Sequence, residues 1–428
     1  MKLSVLLSGA AMACALALPA QSQTLDEAFT LAEVANPTLE SSKADADIAR
    51  AALDEARAAG GVTVSLSASG GYESIDSNRA FSPNIGERPT ANVQLEAARP
   101  IYTGGRVAAG IRAAEAGIDA ASANLEATRQ QLFLETATAF LDVKAARETL
   151  DIRGNNVELL REQVEAATAR FDVGFVTRTD VALTEARLAG ALAGEAAAAA
   201  GVQAAIADFI AVTDAVPGDL GPTPPLPVLP ENFEEALEFA VLDNPQLLAL
   251  REQERSASEA IDQAKAAGRL QLEIVGTASG QQEFKDDEYD TTVSALARGS
   301  IPLWQSGLVD ARVSQARLRR DQARLNTNAA ERDIRAGLAS AWFGYEAALL
   351  SIEASVRQVE AAEIAFDGAR QELTVGTRTT LDVLDSEQDL LDARLSLVNA
   401  ERDAQVAAYQ VLQLTGGLSR AAVLSAGP

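Results

Sequence analysis

The stretch Val62-Thr-Val-Ser-Leu-Ser-Ala-Ser69 alternates apolar and hydroxyl side chains without interruption. Successive side chains of an extended chain point to opposite faces, so valine, leucine and alanine fall on one face and threonine and serine on the other. Alternation with a period of two is the pattern of a half-buried strand. The stretch therefore predicts a β-strand that separates an apolar environment from a polar one.

The same alternation returns three more times along the chain. An unbroken apolar face opposite a serine-rich face suits a sheet with lipid outside and water inside, and hairpins packed on the helices of a soluble protein are the alternative. A single-chain barrel needs about eight strands, and hydrocarbon does not tolerate open sheet edges. Three chains with four strands each would close a barrel of about twelve strands, so the strand count predicts a homotrimer. The predicted strands lie at about 62–72, 90–99, 270–280 and 290–299.

The chain contains two copies of one unit. Thr24-Leu-Asp-Glu-Ala-Phe corresponds to Asn232-Phe-Glu-Glu-Ala-Leu, and Phe171-Asp-Val-Gly corresponds to Leu373-Thr-Val-Gly. Such self-similarity indicates a repeated structural unit. The predicted divisions are a first repeat at 24–216, a proline-rich linker at 217–230, a second repeat at 231–417 and a tail at 418–428.

Each repeat is predicted to form a helix, two strands, a long helix, a turn and a returning helix. No proline interrupts positions 105–171 or 307–373. Each long helix is therefore predicted to extend for about 100 Å at a rise of 1.5 Å per residue. Apolar residues recur at intervals of seven, which indicates a coiled coil. In the first copy they are Leu150, Val157, Val164 and Phe171.

The composition excludes most enzyme classes. The chain has 36 basic and 61 acidic residues, no histidine and one cysteine, Cys14. A net charge of −25 argues against binding to nucleic-acid phosphates, which requires a basic surface. Zinc sites of cysteine and histidine, thiol nucleophiles and triads with an imidazole base cannot be built. We therefore expect no catalytic activity, no cofactor, no metal and no nucleic-acid partner.

The N-terminus has the layout of a secretory signal peptide. Lys2 precedes an apolar run from Leu3 to Leu18, which is followed by Pro19-Ala20, so we predict a signal peptide at 1–20. A lipoprotein acylated at Cys14 is the alternative, but alanine stands three residues before it where a bulky aliphatic residue is usual. No other stretch of about 18 apolar residues is evident, so any membrane span is expected to use strands.

Three motifs resemble the TolC family of outer-membrane channel-tunnels. They are Pro100-Ile-Tyr-Thr-Gly-Gly, Pro302-Leu-Trp-Gln-Ser-Gly and Val375-Gly-Thr-Arg-Thr-Thr-Leu-Asp-Val-Leu-Asp385. The resemblance implies a mainly α protein with a membrane β-barrel: a homotrimer with a twelve-stranded barrel in outer-membrane lipid and a twelve-helix periplasmic coiled-coil tunnel. It also implies export of proteins or small molecules together with a periplasmic adaptor and an inner-membrane pump of ABC or RND type.

Two aspartates at a predicted helix start are the first candidate site. Asp382 and Asp385 are three residues apart, hence on one helix face, and a trimer would place six carboxylates around one axis. The alternative is that acidic residues simply favour the positive end of a helix dipole. The resemblance implies that the two aspartates form a ring at the periplasmic entrance.

The resemblance also implies a lock that holds the entrance closed. Arg378 matches the arginine of this lock, and Thr179 and Asp180 match its partners on the neighbouring hairpin. Leu373 stands where the family prototype has a tyrosine whose hydroxyl joins the lock. We therefore expect the closed state of this chain to be held less tightly.

The tips of the two helical hairpins are the last candidate site. One interpretation is that the glycines of the tips only end the helices, because glycine readily adopts the left-handed conformation found at helix ends. The resemblance implies instead that the tips, near 172–178 and 374–380, dock onto adaptor hairpins. The residues concerned are Val173, Gly174 and Phe175 in the first copy and Val375, Gly376 and Thr377 in the second.

The expected function is that of a passive exit duct for a tripartite efflux or type I secretion system, opened at its periplasmic end when pump and adaptor engage. The alternative is a soluble periplasmic coiled-coil scaffold or adaptor, which would show one coiled-coil hairpin flanked by small β-domains rather than four alternating strands. A hydrolase based on Asp382 and Asp385 is disfavoured because no other residues form a substrate pocket around them.

Overall fold

The computed structural model describes residues 23–75, 86–283 and 288–424, so the predicted signal peptide with Cys14 lies outside the described residues. Helices and strands alternate in the order that the two repeats predict. The elements are α1 (Leu25–Ala35), α2 (Pro37–Ala58), β1 (Thr63–Ile75), β2 (Gly86–Tyr102), α3 (Arg106–Asp172), α4 (Arg178–Thr213), α5 (Phe233–Asp243), α6 (Pro245–Ala266), β3 (Gln271–Glu283), β4 (Glu288–Ser300), α7 (Leu308–Thr374), α8 (Thr380–Leu414) and α9 (Arg420–Leu424).

The four strands form one antiparallel sheet in the order β1-β2-β3-β4. Leu66 lies opposite Leu95, Leu95 opposite Ala278, and Ala278 opposite Val293, so each of the four strands contributes apolar residues to one face. Leu66 is 71% exposed and Val293 is 77% exposed. A row of exposed apolar side chains across a whole sheet marks a surface that needs an apolar partner.

The opposite face of the sheet carries hydroxyl and charged side chains, together with the apolar pair Val275 and Leu296. The hydroxyls of Thr277 and Ser294 form a hydrogen bond of 2.7 Å between β3 and β4. Arg298 pairs with Glu273 at 3.2 Å between the same two strands. In the described sheet, neither β1 nor β4 pairs along its outer edge. The sheet is thus two-faced and open at both sides.

Glycines join the sheet to the long helices. Gly104 (φ +65°) and Gly105 (φ +94°) lie between β2 and α3, and both have the left-handed conformation that favours glycine. A Cβ atom on Gly104 would lie 2.8 Å from the Cβ of Arg269 and 3.0 Å from the carbonyl oxygen of Ala266. The Arg269 guanidinium also donates to the Gly104 carbonyl oxygen at 3.0 Å. The junction is therefore tightly packed against the end of α6.

The long helices α3 and α7 have 67 residues each, and each packs along its returning helix as a hairpin, α3 with α4 and α7 with α8. Val157, Phe366 and Val383 are buried along these hairpins, as the heptad spacing predicts. Nearer the sheet, α2 packs on α3, α3 on α6 and α6 on α7. The coiled coil thus extends over the whole helical part of the chain.

An aromatic core lies halfway along the helices. The rings of Phe29 and Phe133 are 4.8 Å apart, and Tyr409 of α8 is fully buried in the same cluster. The predicted tail contributes to this core, because Leu418 is fully buried and Arg420 forms two hydrogen bonds with Asp26 of α1. The described C-terminal residues therefore pack against the aromatic core.

Helix α4 corrects one expectation from the sequence. By length and composition it could cross a membrane, so the expectation that no second apolar stretch exists was wrong. Much of its apolar character comes from alanine, including the run Ala196–Ala200. Alanine buries little area, and the helix packs along α3 in the coiled-coil hairpin.

Candidate functional site

The two hairpin tips are tight turns with exposed apolar side chains. Gly174 (φ +82°) and Gly376 (φ +80°) both have the left-handed conformation. In the first tip, the backbone N–H of Phe175 donates to the carbonyl oxygen of Arg170 at 2.9 Å, which satisfies one of the free carbonyls at the end of α3. Phe175 is 83% exposed, and Val375 is exposed on the second tip. Each tip thus presents an apolar surface on a fixed turn.

Behind each tip, a threonine and an aspartate cap the returning helix. Thr379 donates its backbone N–H (2.9 Å) and its hydroxyl (2.7 Å) to the carboxylate of Asp382, whose own N–H donates to the threonine hydroxyl. Thr177 and Asp180 repeat this capping box at the start of α4. The two donors from Thr379, aided by the charge of Arg378, hold the pKa of Asp382 below its ordinary value. Asp382 is therefore a cap as well as a candidate for the entrance ring.

The described chain does not join the residues of the predicted lock. Arg378 donates to a carboxylate oxygen of Glu372 in its own hairpin at 2.8 Å. Among the described residues no hydrogen bond links Arg378 to Asp180, whose carboxylate accepts from Thr177 instead. Thr179 is exposed beside it.

Leu373 belongs to the apolar side of the second hairpin. It packs against a buried cluster that contains Phe366 of α7 and Val383 of α8. A leucine here strengthens the contact between the two helices of the hairpin and offers no hydrogen-bond donor.

The second aspartate of the predicted ring has a partner that the sequence analysis missed. Arg187 of α4 donates to Asp385 of α8 at 2.7 Å, and both side chains are more than a third exposed. This ion pair joins the hairpins of the two repeats. Val181 and Leu188 are seven positions apart on α4, and Arg187 lies beside Leu188. Positions that flank the apolar seam of a coiled coil are where interhelical ion pairs form.

The sequence analysis also missed Glu387, which is 5% exposed. Neither of its carboxylate oxygens has a hydrogen-bond partner in the described chain. Burial raises the pKa of Glu387 to about 7, and the charge of Arg187 acts in the opposite direction. Leu384 and Leu391 are buried seven positions apart, and they mark the apolar helix face on which Glu387 also falls.

Glu387 lines a cavity of about 310 Å³ between α3, α4 and α8. Arg153 and Arg187 face this cavity from α3 and α4, and Gln388 faces it from α8. The described residues contain no group of three or more His, Cys, Asp or Glu side chains that could hold a metal ion. The site thus consists of charged side chains and helix-capping residues at the end of a coiled coil.

A two-faced sheet, joined through glycine turns to one coiled-coil hairpin in each of two repeats, is the architecture of an outer-membrane channel protein with a helical periplasmic part. Residues 29–213 and 236–417 match the family described as outer membrane efflux protein. The chain belongs to this family.

Individual proteins agree with this assignment. The chain is 31% identical over 418 residues to the outer membrane efflux protein BepC of Brucella suis biovar 1 (strain 1330), which covers 97% of this chain and 90% of that protein. It is 26% identical over 434 residues to the outer membrane protein TolC of Escherichia coli (strain K12), covering 95% and 84%. The crystal structure of the outer membrane protein VceC of Vibrio cholerae has the same fold, with a TM-score of 0.78, 19% identity and coverage of 92% and 96%.

Family membership confirms several expectations from the sequence. The resemblance to the TolC family, the mainly α fold class and the location in the outer membrane with a large periplasmic part are confirmed. The soluble scaffold and the hydrolase are excluded, because the family consists of outer-membrane efflux proteins. The closed barrel, the homotrimer and the roles of the individual site residues stay predictions.

Proposed function

We propose that three copies of this chain form a passive exit duct through the outer membrane. The observation that carries the proposal is the sheet, which has an exposed apolar face in register across four strands and two open edges. Each unpaired backbone N–H or C=O group in hydrocarbon costs on the order of several kcal/mol, as buried polar groups without partners do. Pairing β4 of one copy with β1 of the next removes all the edges at once.

The duct serves a tripartite efflux or type I secretion system. The exposed apolar tips around Phe175 and Val375 are the surfaces on which a periplasmic adaptor docks, and the adaptor connects the duct to an inner-membrane pump of ABC or RND type. Docking of the two tips, Val173-Gly174-Phe175 and Val375-Gly376-Thr377, pulls the hairpins apart and opens the periplasmic end. The left-handed glycines fix the shape of both tips.

The entrance is selective and gated by charge. Asp382 and Asp385 of three copies form a ring of six carboxylates, which favours cations at the narrowest point. Arg378 holds the closed state through Thr179 and Asp180 of a neighbouring hairpin. This contact requires Arg378 to leave Glu372, which it contacts at 2.8 Å in the single chain. Leu373 adds no hydrogen bond, so the lock is weak.

Assembly is the direct test of the proposed function. Protein extracted from outer membranes in mild detergent is expected to have the mass of a trimer by light scattering and to resist dissociation on heating. Strand content measured by circular dichroism is expected to persist only with the trimer. A monodisperse monomer that keeps its strands would refute the duct, since four paired strands cannot close.

A further inference from the structure

One guanidinium in the tip region lies close to two carboxylates. Arg187 donates to the Oδ1 atom of Asp385 at 2.7 Å, and its charge also acts on Glu387, two residues further along α8. Arg187 and Glu387 line the same cavity. Arg187 thus has a second acidic partner within range and uses only the first.

The surroundings of Glu387 favour the protonated form of its carboxyl group. It is 5% exposed and neither oxygen accepts a hydrogen bond from a described residue. A buried carboxylate without a partner is strongly disfavoured in its charged form, so burial raises its pKa, here to about 7. Near neutral pH, a small change in acidity therefore decides whether this site carries a charge.

Few groups around Glu387 could compensate the negative charge of its deprotonated carboxylate. From α3 the cavity is lined by Arg153 and Asn156, and among the described residues of α4 the only charged one in the lining is Arg187. The lining from α8 adds Gln388 and two leucines, and no described residue of α7 takes part in it. Arg187 is the cation whose charge acts on Glu387. Loss of the proton from Glu387 would therefore draw this guanidinium inward.

We propose that Arg187 sets the cation preference of the entrance by exchanging partners. Arg187 neutralises Asp385 while Glu387 carries a proton, and it moves to Glu387 when that proton is released, which leaves Asp385 negatively charged. The exchange moves one side chain between two acidic groups, and both Arg187 and Glu387 line the cavity of about 310 Å³. This inference rests on the proposed position of Asp385 at the channel entrance.

The sign of the pH dependence follows from the direction of the shift. The folded chain binds a proton at Glu387 more tightly than an exposed glutamate does, so the stabilising effect of that proton is present at low pH and is lost as the pH rises through about 7. Over the same interval Asp385 loses its neutralising partner. The entrance of a trimer therefore gains up to three free carboxylates above neutral pH.

The experiment measures ion selectivity of the full-length trimer in planar bilayers between pH 5.5 and 8.5. The ratio of potassium to chloride permeability is obtained from reversal potentials. The wild type is expected to become about two-fold or more selective for potassium as the pH passes 7, because a constriction focuses the potential of its charges. Glu387→Gln is expected to remove the step and keep the low-pH ratio. Arg187→Gln is expected to give the high ratio at every pH.

Matched variants separate the outcomes. Asp389→Asn removes an exposed carboxylate from the same helix and is expected to keep the step. An unchanged step in Glu387→Gln overturns the exchange, and so does a step that disappears in Arg153→Gln but persists in Arg187→Gln. If Asp385→Asn leaves the ratio unchanged at every pH, the proposed position of Asp385 fails instead.

The titration of Glu387 can also be tested by a stability measurement that does not involve channel currents. Glutamine is isosteric with a protonated glutamate, so Glu387→Gln is expected to fold. The melting temperature of the wild type is expected to fall relative to that of Glu387→Gln between pH 6 and pH 8.5. A constant difference would show that Glu387 does not titrate in this range and would overturn the inference.

Discussion

Leu66 of β1 lies directly opposite Leu95 of β2, and both side chains are exposed. Two outward-facing leucines in adjacent strands leave apolar area in contact with the surroundings, and this area is accommodated at lower free energy in an apolar environment than in water. This relationship supports the assignment of the outer face of the sheet to lipid, and it can be tested with adjacent residues of one strand.

Leu95→Arg is expected to destabilise the assembled protein, whereas Gln94→Arg is expected to be tolerated. Arginine on the lipid-facing side of a strand costs about 2–4 kcal/mol at the middle of the bilayer, and a residue on the polar face meets water. The readout is the yield and heat resistance of the trimer in outer-membrane fractions. Equal yields of the two variants would show that the sheet is not embedded as proposed.

Asp382→Asn combined with Asp385→Asn is expected to abolish block of the channel by a trivalent cation. Asparagine keeps an acceptor for the N–H of Thr379, so the helix cap is retained while the negative charge is lost. The measurement is single-channel conductance against blocker concentration. Asp389→Asn, on the same helix, serves as the control and is expected to leave the block intact. Block that persists in the double variant would remove these aspartates from the entrance.

Arg378→Ser is expected to raise conductance and to leave trimer stability nearly unchanged. The ion pair with Glu372 is exposed, and such pairs contribute about 0–1 kcal/mol. Two further variants identify the partner that matters. Asp180→Asn is expected to reproduce the effect if Arg378 acts between hairpins, and Glu372→Gln is expected to reproduce it if Arg378 acts within its own hairpin.

Leu373→Tyr is expected to lower the open fraction, because it supplies the hydroxyl that the lock lacks. A leucine in contact with the cluster around Phe366 is replaced by a larger side chain, so the melting temperature is measured alongside conductance. Unchanged conductance in both Arg378→Ser and Leu373→Tyr would show that other residues hold the closed state.

Gly104→Ala is expected to destabilise the junction between sheet and helices. The new Cβ would lie 2.8 Å from the Cβ of Arg269 at a backbone conformation that favours glycine, and strain at such positions costs about 1–3 kcal/mol. Gly117→Ala, within α3 where a Cβ has open space, is the control and is expected to be neutral or stabilising by up to about 1 kcal/mol. Thermal unfolding of both variants measures the difference.

The fold could be predicted from the sequence because its signals are local. The alternation at 62–69 shows directly which side chains share a face, and the pairing of Leu66 with Leu95 follows once the hairpin forms. The capping boxes of Thr177 with Asp180 and of Thr379 with Asp382 depend on residues three apart. Signals of this range do not require knowledge of how the two repeats pack.

The charged cluster behind the tips could not be predicted in the same way. The pair of Arg187 and Asp385 joins residues 198 positions apart, and it exists because α4 of one repeat meets α8 of the other. The burial of Glu387 likewise depends on α3 and α4 covering one face of α8. The hydropathy of α4 was underestimated for a different reason. A run of alanines raises the mean hydropathy of a helix although each alanine side chain is small.

The contact between Asp26 and Arg420 has a consequence for how the protein is made. The two residues are 394 positions apart, and the aromatic core at Phe29 and Tyr409 is complete only when α9 is in place. Exported chains emerge from the N-terminus, so this core stays unfinished until α9 has crossed the inner membrane. Completion of this core is therefore a late event that depends on distant contacts, and such contacts slow folding.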